Sequence, residues 1–330
     1  MSARLLRLAF VVGGVIGAGA LASCGARTGL LVPLQLVDAS VPGTDADDAG
    51  VFPPDAPIPP IDAAPGMVPS DCPDAGDTLI YLVTSESSLF SFYPPTAQFA
   101  RIGELSCPTP PTSGSPWQPF SMAVDHQGRA YVLFSDGGAG GELFRVSTAT
   151  AACSSVPYVG GQDGFDTFGM GFVGSADGGT ENLYVARNTE QTDAAPQLAV
   201  LDVVNFQLSM VENISPADIS SAELTGTGDG RLFAFYERGA SSAIAQLDPS
   251  NGRALANDDL TALSQTLPSG TGGWAFAFWG GDFYLFTTDP AGTNGSTITR
   301  FDPSDGSQTT VATLSELIVG AGVSTCAPQQ

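Results

Sequence analysis

The sequence offers few residues that could do acid–base or metal chemistry, and its only histidine is His126. His126 follows Asp125, as in a possible catalytic triad, but no serine occupies the Gly-x-Ser-x-Gly turn that presents such a nucleophile. We therefore interpret His126 as a solvent-exposed turn residue. Asp125 and Glu223 are the carboxylates expected on innermost strands, where they could hold a cation such as Ca²⁺ together with carbonyl oxygens. Structural roles at strand ends are the favoured interpretation, so no cofactor is expected.

Aromatic side chains are the second group that could contact a ligand. Trp117 and Phe165 stand in Gly/Pro-rich segments just before two predicted strands, where they could line one face of the molecule. The other aromatics near these strands are expected in the core. Residues 169–174 match the dinucleotide-binding pattern GxGxxG, but no helical periodicity follows, so we predict a strand there instead.

Five copies of a short apolar strand must position these residues. The copies recur about every 50 residues and are separated by turns rich in Gly and Asp; they occupy 79–84, 130–135, 183–188, 232–237 and 283–288. Short strands repeating at this period are typical of the blades of a β-propeller. The predicted fold class is therefore all-β.

Each repeat divides into four strands when turn residues are taken as boundaries. The first strand alternates small and large residues, which suits close packing around a propeller axis. The first repeat lacks this strand, and residues 317–324 at the C-terminus have the missing pattern. We predict five four-stranded blades with the ring closed by the C-terminal strand. Six blades is the alternative, if 187–197 or 255–273 contains further strands.

Two turns carry a resemblance to known propellers. Residues 247–252 and 301–306 both read apolar-Asp-Pro-Ser-Asn/Asp-Gly, a turn that proline and glycine favour through their backbone angles. At these residues the chain resembles the YVTN and quinoprotein-like bacterial β-propellers. The resemblance covers about residues 75 to 326. It implies the architecture and brings no catalytic residue with it.

The N-terminus has the features of an export signal. Arg4 and Arg7 precede an apolar run over residues 8–22, which is too short for a stable membrane span. The run ends in Leu-Ala-Ser-Cys at 21–24, which resembles the lipobox of bacterial lipoproteins. This resemblance implies that residues 1–23 are removed and that Cys24 carries a lipid anchor in the cell envelope; Gly25 favours the outer membrane. The alternative is an ordinary secretory signal.

Composition divides the rest of the chain into two parts. Residues 24–71 are rich in Pro, Ala and Asp, so they cannot bury enough apolar surface to fold, and we predict a disordered tether. Residues 72–330 form the predicted propeller. The net charge of the whole chain is −23. Such a chain would be repelled by phosphate backbones, which excludes nucleic acid as a partner.

The four remaining cysteines fit two disulfides in an oxidising compartment. The blade alignment pairs Cys72 with Cys326, where the ring closes, and Cys107 with Cys153, near the rim of neighbouring blades. Zinc is the alternative, but no two of these cysteines have the close spacing of a zinc ribbon.

These features predict a lipid-anchored surface protein whose propeller is a binding or scaffold module for a protein or glycan ligand. An enzyme is the less favoured class because the residues available for catalysis are few. Within that class the alternative is a cation-dependent propeller enzyme, such as a lactonase or lyase, with its site in the central channel.

Overall fold

The computed structural model describes residues 78–330 apart from 112–114, 139, 176–179, 190–195, 217–218, 220, 239–240, 256–260, 264–272 and 289–293. The predicted signal segment, the predicted tether, Cys24 and Cys72 lie outside the described residues. Within them, no helix is long and apolar enough to cross a membrane.

The described residues form twenty β-strands and two short 3-10 turns, Pro94–Thr96 and Gln162–Gly164. The strands are β1 Ile80–Thr84, β2 Ser88–Tyr93, β3 Gln98–Glu104, β4 Gln118–Val124, β5 Arg129–Ser135, β6 Glu142–Ser147, β7 Cys153–Ser155, β8 Phe168–Gly174, β9 Glu181–Arg187, β10 Gln197–Leu201, β11 Leu208–Asn213, β12 Ala222–Gly226, β13 Leu232–Arg238, β14 Ser241–Leu247, β15 Thr261–Leu263, β16 Trp274–Trp279, β17 Asp282–Thr288, β18 Ser296–Asp302, β19 Ser307–Leu314 and β20 Ile318–Val323.

These strands pair into five antiparallel four-stranded sheets, which we number as blades 1 to 5. From the innermost strand outward the orders are β20-β1-β2-β3, β4-β5-β6-β7, β8-β9-β10-β11, β12-β13-β14-β15 and β16-β17-β18-β19. Each innermost strand contacts the innermost strands of the two neighbouring blades, and β20 contacts both β16 and β4. The predicted five-bladed propeller, closed by the C-terminal strand, is therefore confirmed.

The two ends of this ring differ in how the chain crosses them. At one end, here called the hairpin end, each of the inner strands β4, β8, β12 and β16 turns back directly into the second strand of its blade. At the other, here called the loop end, the chain passes from the outermost strand of one blade to the inner strand of the next. Thr78, just before β1, and residues 324–330, just after β20, both lie at the hairpin end because β1 and β20 have their outer termini there.

Burial of alternate residues explains why the blades stack. Tyr131 packs forward against blade 3, and Tyr81 packs forward against blade 2, whereas Ile80 packs backward against blade 5. Tyr81 is therefore the structural equivalent of Tyr131. The sequence alignment, which started the first repeat at Leu79 and matched Ile80 to Tyr131, is wrong by one residue in blade 1. A short apolar run allows this slip because its alternation is weak.

The predicted pairing of Cys107 with Cys153 is present in the structure, with 5.0 Å between the two Cα atoms. It joins the connection after β3 in blade 1 to the start of β7 in blade 2. Cys326 is also disulfide-bonded. Its predicted partner, Cys72, lies outside the described residues.

Candidate functional site

The centre of the ring is built from inner strands that approach one another at backbone distance. A Cβ placed on Gly169 would come within 2.0 Å of the carbonyl oxygen of Ala222 in the next blade. Gly320 similarly lies against the backbone of Ser121 and Met122. The small residues expected from the sequence therefore have a definite purpose, which is to let neighbouring inner strands touch near the axis. The GxGxxG match lies within β8, as predicted.

One position of the inner strands is occupied by four small residues and one large one. The residues paired with equivalent positions of the second strands are Gly320, Ser121, Gly169, Glu223 and Ala275, for blades 1 to 5. Glu223 thus extends into space that the other four blades leave open. The sequence placed Glu223 on an inner strand, but it did not reveal this fivefold comparison.

The carboxyl of Glu223 is bonded across the ring. The Ser121 hydroxyl of blade 2 donates to Oε2 of Glu223 in blade 4 at 2.7 Å. Blade 3 lies between these two blades, so the hydrogen bond joins blades that are not neighbours. Both residues are buried. Burial raises the pKa of the Glu223 carboxyl well above its usual range, although the hydrogen bond from Ser121 acts in the opposite direction.

Asp125 has a different role at the hairpin end. Its Oδ1 accepts hydrogen bonds from the backbone N–H groups of Gln127 and Arg129, at 3.0 and 2.8 Å, and its Oδ2 accepts from Nε of Arg129 at 2.7 Å. Asp125 therefore stabilises its own turn. Four residues separate Asp125 from Ser121, which is about 13 Å of strand. Asp125 and Glu223 are consequently too far apart to share one cation.

Among the residues that the structure describes, no three histidine, cysteine or acidic side chains lie close enough together to hold a metal ion. The axial level of the ring carries the single carboxyl of Glu223. The donor set that a central calcium site would need is therefore not assembled by the described inner strands.

His126 forms a cluster that the sequence did not reveal. Its Nδ1 lies 2.5 Å from Oε1 of Glu181, and its backbone N–H donates to the same carboxylate. The Thr325 hydroxyl donates to the other oxygen of Glu181 at 2.9 Å. His126 does lie in the predicted turn, but its side chain is held by blade 3 rather than pointing free into solvent.

This cluster fastens the C-terminal tail, residues 324–330, over the hairpin end of the axis. The backbone N–H of Gly280 in blade 5 donates to the Pro328 carbonyl at 2.8 Å. In blade 4, Arg231 donates to the side-chain oxygen of Gln329 at 3.0 Å. The tail is thus bonded to blades 3, 4 and 5, and it carries the disulfide-bonded Cys326.

The N-terminal side of the propeller enters at the same end. The indole N–H of Trp279, the last residue of β16, donates to the Thr78 carbonyl at 2.8 Å. Both the start of the described chain and the tail therefore occupy the hairpin end. The loop end carries neither.

The two aromatics predicted to line a ligand face behave differently. Phe165 is fully buried, packs against Phe168 and lies beneath the guanidinium of Arg187, so that prediction is wrong for Phe165. Its Gly-rich surroundings suggested a surface loop, but the loop folds its ring into the core between blades 2 and 3. Trp117 is half-buried at the loop end, and its indole nitrogen has no hydrogen-bond partner among the described residues. Trp117 stays a candidate for ligand contact.

A polar groove of about 440 Å³ lies on the rim where blade 3 meets blade 4. Its floor is a main-chain bridge in which the N–H of Ser215 donates to the Gly252 carbonyl at 3.1 Å. Glu212 and Arg253 stand on its walls. None of the residues predicted from the sequence lies in it.

No protein-family model matches this chain, and no curated protein matches it. Two solved structures are similar at low identity. One is TolB from Acinetobacter baumannii, at 16% identity over 76% of this chain and 56% of TolB, with a TM-score of 0.40. The other is the PQQ-bound form of aldose sugar dehydrogenase from Streptomyces coelicolor, at 12% identity over 77% of this chain and 83% of the enzyme, with a TM-score of 0.43. The propeller assignment rests on the strand pairing described above.

Proposed function

We propose that this chain is a binding protein of the cell envelope, held at the membrane by a lipid on Cys24 and presenting its propeller at the end of a flexible tether. In this proposal residues 1–23 are the signal removed on export, 24–71 the tether and 72–330 the propeller. The motif Leu-Ala-Ser-Cys at 21–24 supports the anchor, and an outer-membrane location follows from Gly25.

The observation that carries the proposal is the arrangement of the chain ends. Thr78 and the tail lie together at the hairpin end, so a tether that enters there directs that end towards the membrane. The loop end then faces outward. It carries the long connections between blades, which is where propellers and other rigid scaffolds place variable binding residues.

The filled axis supports binding rather than catalysis in a central channel. Glu223 and Ser121 occupy the axis at the level described above, and the tail covers its hairpin end. A lactonase-like or lyase-like site would need several oxygen ligands around an open axis. The described inner strands place one carboxyl there.

The ligand surface that we propose lies at the loop end, between Trp117 and Val159. Val159 is 65% exposed in the connection between β7 and β8, and Trp117 precedes β4. The ligand would be a protein or a glycan. Apolar and aromatic groups at the centre of such a contact contribute most of the binding energy.

Two exposed valines provide a matched test. Val159→Arg alters the loop end, and Val204→Arg alters the hairpin end, where Val204 is 84% exposed. Glycan arrays and chemical cross-linking on envelope preparations would identify the ligand of the mature chain. We expect Val159→Arg to weaken its binding by about tenfold or more and Val204→Arg to leave it unchanged. A loss of binding with Val204→Arg alone would contradict the proposed orientation.

A further inference from the structure

Glu223 is the one ionisable residue in the described inner strands. The other four, β4, β8, β16 and β20, contain no acidic, basic, tyrosine or cysteine side chain. A residue that is chemically unlike all its equivalents, and that lies at the level where the blades converge, calls for a physical explanation.

The strands that pack on β12 offer Glu223 no cationic partner among the described contacts. The ionisable residues of β9 and β13 are Glu181, Tyr184, Arg187, Tyr236, Glu237 and Arg238. Glu181 holds the tail at the hairpin end, and Arg187 lies over Phe165 at the loop end. Glu237 is exposed. The printed partner of the Glu223 carboxyl is the neutral Ser121.

We propose that Glu223 is a proton-binding site on the propeller axis that makes closure of the ring sensitive to pH. The protonated carboxyl fills the space left by four small residues and bonds to Ser121 across the ring. Loss of the proton leaves a buried carboxylate without a cation, which weakens the contact between blades 2 and 4.

The direction of the pH effect follows from the two states of the chain. Burial raises the pKa of Glu223 in the folded protein, whereas the unfolded chain ionises this group at about its usual pKa of 4.3. Between these two pKa values the folded state holds one proton more than the unfolded state, so stability falls as pH rises. The contribution of Glu223 is fully present below the unfolded pKa. Above it, the folding equilibrium constant falls about tenfold per pH unit until the folded pKa is reached.

Glu223→Gln tests this inference because glutamine has the shape of the protonated acid and does not ionise. Glu237→Gln is the control, since Glu237 is an exposed residue of the same blade. Denaturant unfolding of the mature chain would be measured from about pH 5 to pH 8. We expect Glu223→Gln to become progressively more stable than the wild type as pH rises, and Glu237→Gln to follow the wild type. Parallel pH profiles for Glu223→Gln and the wild type would overturn the inference.

Infrared spectroscopy provides a second measurement that needs no stable Glu223 variant. The folded wild type should show the carbonyl stretch of a protonated carboxyl at a pH where exposed carboxylates are ionised. Ser121→Ala should shift this band, because it removes the hydrogen bond to Oε2. Absence of the band, or a band that Ser121→Ala leaves in place, would contradict the assignment to Glu223.

Discussion

Removing the carboxylate of Glu181 should release the C-terminal tail from the hairpin end. Glu181 accepts hydrogen bonds from the His126 backbone and the Thr325 hydroxyl and pairs with the His126 ring. Glu181→Ala abolishes all three contacts at once. Blades 2 and 3 would lose their shared hold on the tail, while the strands of both blades would remain paired.

The size of the effect follows from the burial of the cluster. Hydrogen bonds to charged groups contribute about 1.5–3 kcal/mol each when buried. The side chain of Glu181 is only 11% exposed, but that of His126 is 36% exposed, so solvent weakens the pair. We therefore assign about 2–3 kcal/mol to the three contacts together. At 1.4 kcal/mol per factor of ten, opening of the tail should increase about 30- to 150-fold.

Amide hydrogen exchange under non-reducing conditions measures this opening directly. The reporters are the N–H of Gly280, bonded to the Pro328 carbonyl, and the N–H of Ala327, bonded to the Ser324 carbonyl. Their protection should fall by the factor given above. Glu212→Ala, an exposed change in the same blade, should alter it no more than about twofold. If Glu181→Ala leaves both amides as protected as Glu212→Ala does, the tail is held by other contacts and the reasoning fails.

Two further changes test the ring and its rim. Gly169→Ala should destabilise the protein by about 3 kcal/mol, because its Cβ meets the Ala222 carbonyl; Gly103→Ala, whose Cβ meets a single side chain, should cost about 1 kcal/mol or less, and equal denaturation midpoints would show that the inner strands pack more loosely. Replacing Cys107 and Cys153 together by alanine opens a link between residues separated by 46 positions and should cost about 4 kcal/mol in the chain-entropy model; an unchanged unfolding free energy would contradict that model for this link.

The repeats in the sequence were sufficient for the fold because each blade repeats the same burial pattern. Alternation of small and large residues identified the inner strands, and the missing strand of the first blade identified β20 as its replacement. The slip of one residue at Leu79 has a simple cause. In blade 1 both Ile80 and Tyr81 are apolar enough to begin the pattern, and only contacts with blades 2 and 5 distinguish them.

The chemistry of the site was less accessible from sequence because it depends on contacts between blades. His126 and Glu181 are 55 residues apart, close to one blade period, so spacing alone gives no sign that they meet. The signal that could have found them is positional, since both stand at the hairpin ends of adjacent blades. The burial of Phe165 was missed for a different reason, because Gly-rich loops are usually exposed and this one folds back against Phe168.

The central claim is that an anchored Cys24 and a chain end fastened by Cys326 hold the propeller by its hairpin end. Non-reducing peptide mapping by mass spectrometry, on protein extracted from envelope membranes, tests both parts together. The account predicts an N-terminal peptide that begins at acylated Cys24 and a disulfide that joins Cys72 to Cys326. A disulfide between Cys24 and Cys326 would contradict it, because the same sulfur cannot also carry the lipid.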